Sequence, residues 1–236
     1  MSGREDSVAK TFHRQLFRAC NAIGALDLSI PLCGTDRHFN ADEMFAANDR
    51  FLLIEFKSSR YNLGAEKNKH SACVLCTGLI VSREARLLHR ACHFAMWGKK
   101  QLNAGLHIQG GVYQDLVCNR NRLPLCETLA FAEIDPKADK TTVFEGAALA
   151  HALAQEKAGL PADEFAPYLQ WLLSLRGGES RQQKFPVVVF GISMLGPVES
   201  YAFNSFHDLA GWAKLGIVPE PTDEPDEDNW PSGPSI

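Results

Sequence analysis

Between Ser7 and Leu26 apolar residues return at the spacing of one helical face. Val8, Phe12, Leu16, Ile23 and Leu26 form a stripe, and Lys10, Arg14 and Arg18 fall at i, i+4 and i+8 on another. The pattern predicts an amphipathic first helix. It then changes to the apolar runs "ADEMFAA" and "FLLIEFK" on either side of Asn48-Asp49, a pair that tolerates the positive φ of a tight turn. Two antiparallel strands are predicted there. Residues 66–79 are ambiguous between helix and strand. "SREARLLHRACHFAMW", Ser82 to Trp97, opens on an N-cap serine, carries an acid in its first turn and is followed by Gly98, so one continuous helix is predicted. Strands are expected near 107–117 and 125–134, and helices over 144–158 and 162–175. Strands at "FPVVVFGI" and "VESYAF" and a helix over 205–215 complete an α/β chain.

Composition narrows the classes. The 236 residues suffice for one well-buried domain, expected over 1–218. No apolar run approaches the ~20 residues that cross a bilayer, so no membrane partner is expected. The N-terminal "MSGREDSVAK" lacks the apolar core of a secretion signal, and a cytoplasmic location is the expectation. In that setting the seven cysteines are expected to be reduced thiols or metal ligands rather than disulfides. The net charge of -4 hides an asymmetry, because the segment after Val218 holds six acids and no Lys or Arg. The remainder carries 24 basic against 22 acidic residues, a balance of +2. Nucleic-acid binding is permitted by that balance and would need a local basic patch. Residues 219–236, rich in Pro, Asp and Glu, are expected to be a disordered acidic tail.

The hairpin carries the chemistry. If Asn48 and Asp49 form a two-residue turn, cross-strand partners sum to 97, Met44 faces Leu53, and Asp42 faces Glu55. Side chains alternate along a strand, so Lys57 leaves the same face as Glu55. A three-residue loop would break this register. Phe51, Leu53 and Met44 on one face and Phe45, Leu52, Ile54 and Phe56 on the other predict a hairpin covered on both sides. Two facing carboxylates repel in such a place. A divalent cation relieves the repulsion: the carboxylates of Asp42 and Glu55 and the backbone carbonyl of Phe56 are the hard oxygen donors that Mg²⁺ prefers.

An acid, then twelve residues, then Glu55-Phe56-Lys57 on an apolar hairpin resembles the PD-(D/E)xK (restriction-endonuclease-like) nuclease superfamily. The resemblance covers about the first 100 residues and departs at Ala41, where the family's name would place proline. It implies a central mixed β-sheet flanked by helices, with a restriction-endonuclease-like core. It further implies a Mg²⁺-dependent (or Mn²⁺-dependent) phosphodiesterase acting on DNA, with RNA left open, in bacterial defence, restriction, repair or mobile-element biology. Asp42 and Glu55 would hold the metal, Lys57 would orient the attacking water, and Glu5 or Asp6 would add an outer ligand. A non-catalytic subunit of the same fold, binding nucleic acid, a protein partner or a second copy of the chain, is the alternative.

For nucleic-acid contact the candidates are Ser58, Ser59 and Arg60, next to the hairpin, and Arg83, Arg86 and Arg90. The last three share a helical face with His89, His93 and Trp97, a basic surface with an aromatic end. The spacing His70-x2-Cys73-x2-Cys76, followed by His89, Cys92 and His93, contains enough ligand types for zinc, with buried free cysteine as the commoner outcome.

Overall fold

The computed structural model describes residues 3–32, 39–101, 105–131, 142–175, 187–191 and 199–203. Helix α1 (Gly3–Ile23) leads into strand β1 (Asp27–Pro31), and the hairpin follows as β2 (Glu43–Ala47) and β3 (Arg50–Lys57). A 3-10 segment (Arg60–Asn68), helix α2 (His70–Val81) and helix α3 (Arg83–Cys92) then cross to β4 (His93–Gln101). Next come β5 (Gly105–Val112), α4 (Tyr113–Val117), α5 (Glu127–Phe131), β6 (Phe144–Glu145) and α6 (Gly146–Ala154). The two-residue β7 (Leu160–Pro161), α7 (Ala162–Ser174), β8 (Val187–Gly191) and β9 (Glu199–Phe203) complete the described elements. The strands form one mixed sheet in the order β6-β5-β4-β3-β2-β1-β8-β9, with β7 pairing the start of β3. β3 and β4 are parallel and the other pairs antiparallel. The chain is thus α/β, a mixed sheet flanked by helices.

The alternation of β3 decides which helix covers which face. Phe45 and Phe56 turn toward α1, where their rings lie 4.9 and 6.3 Å from that of Phe12. Phe51 turns the other way and stacks at 5.5 Å on Phe165 of α7. Every residue from Phe51 to Lys57 is buried. A central strand covered on both faces has no polar side, which is why "FLLIEFK" reads as an almost continuous apolar run.

Several sequence expectations need correction. The helix predicted over Ser82 to Trp97 stops at Cys92, and His93–Trp97 is strand β4 between β3 and β5. Ser82 does cap its start, accepting from the Ala85 N–H at 3.2 Å. Beyond Cys92 each residue to Gly98 is buried, so the polar face an amphipathic helix would need is absent. Gly98 suits the strand: a Cβ there would stand 3.2 Å from the Ser58 carbonyl oxygen. The stripe of α1 ends early too, with Ile23 and Leu26 exposed and Ala19 and Cys20 buried instead. β1 was not anticipated. The strand expected at 107–117 ends at Val112, and within 125–134 residues 127–131 are helical. The helices expected over 144–158 and 162–175 occur as α6 and α7. The expected helix 205–215, the acidic tail 219–236 and Cys33 lie outside the described residues.

One glycine yields a stability prediction. Gly159 has φ +79°, donates its N–H to the Ala91 carbonyl, and a Cβ there would come within 2.9 Å of the Phe51 carbonyl oxygen. The left-handed backbone alone costs an L-residue about 1–2 kcal/mol. Gly159→Ala is expected to lose at least about that much in urea unfolding; an unchanged midpoint would contradict the account.

Candidate active site

The hairpin has the register that the two-residue turn requires. Met44 pairs with Leu53, Phe45 with Leu52 and Glu43 with Ile54, and Asn48 takes φ +50° at the turn. Asp42 continues the ladder one step beyond β2: its N–H donates to the Ile54 carbonyl at 2.9 Å, and its Oδ2 accepts from the Phe56 N–H at 2.7 Å. The carboxylate thus occupies the place of a strand carbonyl, which orients it beside Glu55. Phe56 sends its ring to the opposite face against Phe12 and Phe45, so its backbone carbonyl is all it can offer a cation.

Around this pair the structure gathers groups that the hairpin alone does not announce. Lys57 is ion-paired with Glu55 and, at 3.0 Å, with Glu66 of the 3-10 segment. Lys69 bridges the same two acids at 2.6 and 2.9 Å. Glu66 is fully buried and also accepts from the Tyr113 hydroxyl at 2.8 Å. Three acids and two ammonium groups therefore share one box, buried at Glu55, Lys57 and Glu66 and partly open at Asp42 and Lys69, with one negative charge in excess. Glu5 of α1 acts electrostatically on Asp42 and lines the adjoining cleft. Asp6 does not line that cleft.

The titration of the box follows from this imbalance. Burial, then Asp42 and Glu66, push the Glu55 carboxyl up to about 7 against the pull of the two lysines. Asp42 is also raised, chiefly by burial. Burial works to raise Glu66 as well, but Lys57 and Lys69 outweigh it and hold the carboxyl below its usual value. For Lys57, burial works downward, and Glu55 and Glu66 more than offset it. The excess charge is thus relieved at Glu55, by a proton or by a bound cation.

A stability test follows. The folded chain keeps the Glu55 proton up to about pH 7, whereas an unfolded carboxyl releases it near 4.5. The raised carboxyl therefore contributes stability that is present below pH 4.5 and lost as pH rises to about 7. The loss is a few kcal/mol at most, at about 1.4 kcal/mol per pKa unit. In urea unfolding with EDTA, Glu55→Gln is expected to remove this decline. The buried histidines act in the opposite sense and cancel between the two proteins. A decline of the same size in Glu55→Gln would refute the assignment.

A second buried network holds Asp42 in place. The Gln114 N–H donates to His89 Nε2 at 3.1 Å, which leaves the proton of His89 on Nδ1 to donate to the Tyr168 hydroxyl at 2.7 Å. Tyr168 then donates to His93 Nδ1 at 2.8 Å, and His93 Nε2 donates to the Asn40 carbonyl at 3.1 Å. Each link leaves one consistent arrangement of protons, with both imidazoles neutral. Burial holds His89 well below its ordinary range and lowers His93 to about 4. Asn40, at φ +49°, lies two residues before Asp42, so the chain of bonds anchors the turn that delivers the carboxylate.

The predicted nucleic-acid contacts divide. Ser58, Ser59 and Arg60 follow β3 directly: Ser58 accepts from the Asn62 side chain, and the Arg60 guanidinium lies 5.6 Å from the Trp97 ring centre. Of the expected basic face, Arg83 is exposed and Arg86 partly so, while Arg90 is engaged with Asp115 at 2.5 and 3.0 Å. His89, His93 and Trp97 do not belong to that face. All three are buried, and Trp97 is covered by Arg60 rather than open to a base. The cleft beside the box encloses about 430 Å³ and is lined by Lys57 together with Tyr61, Asn62, Lys67, Asn121 and Arg122. Glu66, Tyr113 and Tyr61 were missed as site residues. The Glu66-x2-Lys69 spacing after Glu55-x-Lys57 was the available signal.

The expectation of free or metal-bound cysteines is overturned for four of them. Helix α2 sets Cys73 and Cys76 about one turn apart, and the segment after α4 brings Cys118 and Cys126 to them with Cα separations of 5.3 and 5.5 Å, within disulfide reach. The disulfides are Cys73–Cys126 and Cys76–Cys118. Cys20 and Cys92 are free and buried, and burial, with Asp27, pushes the Cys20 thiol up to about 12. Among the described residues no three His, Cys, Asp or Glu side chains stand ready as a metal ligand set, and none of the helices is long and apolar enough to cross a membrane. Glu55 Oε1 instead receives both ammonium groups.

No family model, no curated protein and no solved structure matches this chain.

Proposed function

We propose that the protein is a metal-dependent nuclease of the PD-(D/E)xK type, hydrolysing phosphodiester bonds in DNA. One observation carries the reading: Asp42 and Glu55 sit side by side at the end of a hairpin, with Lys57 on the same face and an open cleft beside it. A purely structural ion pair would balance its charges in place. This box instead keeps one negative charge in excess, which a proton on Glu55 or a bound cation would relieve.

The donor types suit such a cation, which would have to take the place of the two ammonium groups now on Glu55 Oε1. Asp42 and Glu55 would hold it, with the Phe56 carbonyl, and all three are the hard oxygens that Mg²⁺ takes. When bound, the ion supplies a water of lowered pKa and a counter-charge for the phosphate. The chain's own groups do the remainder. Lys57, kept charged by Glu55 and Glu66, orients the water and stabilises charge developing on the phosphate. Lys69 offsets one of the two charges of Glu55 and Glu66, which weakens the repulsion of an approaching anion. Defence, restriction, repair and mobile-element roles are all compatible with this chemistry.

The test is incubation of the full chain with supercoiled, linear and single-stranded DNA, and with RNA, in Mg²⁺ or Mn²⁺, with Glu55→Gln as control. Metal-dependent cleavage absent from the control is expected. Binding without cleavage under either metal would select the non-catalytic subunit instead.

A further inference from the structure

The cleft beside Lys57 contains an aromatic ring with no structural task. Tyr61 is 88% exposed, whereas the 3-10 segment that carries it packs inward through Leu63 and Glu66. A large ring left in water at a cleft lined by Lys57, Lys67 and Arg122 contributes nothing to the core. Its open face is the surface on which a nucleobase stacks, and cations flanking it are what the neighbouring phosphates require.

The wall opposite Tyr61 is built to hold position. Arg122 and Asn121 lie between Cys118 and Cys126, and both cysteines are tied to α2. The Arg122 N–H donates to the Asn119 side chain at 3.1 Å, which tightens the turn between the two tethers. Its guanidinium lies across the 3-10 segment, with Nη1 3.6 Å from where a Cβ on Gly64 would stand. The two walls therefore meet around a slot of about 430 Å³ that opens onto Lys57. Ring, three cations and two amides converge, with the acid Glu5, on one volume beside the candidate reacting centre, and the cations outnumber the acid.

We propose that this slot is a nucleotide subsite in which an unstacked base lies on Tyr61 and the adjoining phosphates are held by Lys67 and Arg122. The substrate is then single-stranded or frayed DNA, because a base inside an intact duplex has both faces covered by its neighbours. The inference rests on the nuclease reading and gives it a substrate class.

The experiment compares the full chain with Tyr61→Ala and Tyr61→Phe, loaded with Ca²⁺. Fluorescence anisotropy follows a labelled oligothymidylate and a blunt duplex of equal length, and cleavage of both is measured separately in Mg²⁺. Stacking on a ring predicts that Tyr61→Ala weakens single-strand binding about ten-fold or more, while Tyr61→Phe stays within about two-fold of the parent. Duplex affinity should not change. Because Tyr61 is exposed, thermal melting of both variants should match the parent, which separates a lost contact from a lost fold. Single-strand binding indifferent to Tyr61→Ala, or equal losses on both DNAs, would overturn the subsite even if cleavage is observed. Tyr61-dependent binding without cleavage would sustain the subsite and remove the nuclease.

Discussion

Lys57→Met is expected to reduce DNA cleavage by at least about 100-fold, the scale on which a single charge-stabilising donor acts at a reacting centre. The same change should tighten divalent-cation binding, because it removes a positive charge that is ion-paired with Glu55. The two readouts therefore move in opposite directions. A structural role for Lys57 would instead lower both together through loss of fold. Methionine keeps most of the side-chain length in a position that is 7% exposed, so the strand remains packed. Single-turnover cleavage and calorimetric Mg²⁺ titration of one preparation decide the matter. Cleavage within ten-fold of the parent would remove Lys57 from the mechanism.

The second large effect is on stability. Glu66 is fully buried and holds Lys57, Lys69 and the Tyr113 hydroxyl. Glu66→Ala leaves an ammonium group that is nine-tenths buried without one of its two carboxylates, and it removes the carboxylate to which the buried Tyr113 hydroxyl donates. Removing one member of a buried ion pair costs about 3–5 kcal/mol. A loss on that scale is expected in urea unfolding. The partial exposure of Lys69 lets water take over some of its share, so the loss through Lys57 should dominate. Pairing Glu66→Gln with Lys57→Met should cost less than the sum of the two single changes, since each removes the other's uncompensated partner. A Glu66→Ala loss under about 1 kcal/mol would mean the box is solvated and its charges independent.

The hairpin was legible in the sequence for a specific reason. A strand repeats every two residues and a two-residue turn leaves one register, so Asn48-Asp49 was enough to place Asp42 beside Glu55 and Lys57. The start of α3 was legible for a similar reason, because Ser82 caps it through a residue only three positions away. Strand β4 was not legible. "HFAMW" continues the helical spacing of the preceding residues, and only its pairing with β3, distant in the chain, and with the following β5 makes it a strand. The same misreading put His93 and Trp97 on a solvent face, when the first bonds Tyr168 in a buried network and the second lies under Arg60; His89 does lie in α3, on a side that packs against Tyr168 of α7.

The cysteines failed differently. Spacing of Cys73 and Cys76 along α2 was readable, but their partners lie 53 and 42 residues further on, and an odd total says nothing about how many of them pair. By itself, then, the sequence determined the α/β character, the hairpin register and the adjacency of Asp42, Glu55 and Lys57. Each depends on periodicities expressed within a few residues. Only the tertiary structure decided that Glu66, Lys69 and Tyr113 complete the charge box, that four cysteines form two tethers, and that Tyr61 faces a cleft. Those juxtapositions join segments from about ten to more than fifty residues apart, and they arise from the packing of helices on a sheet rather than from any local preference.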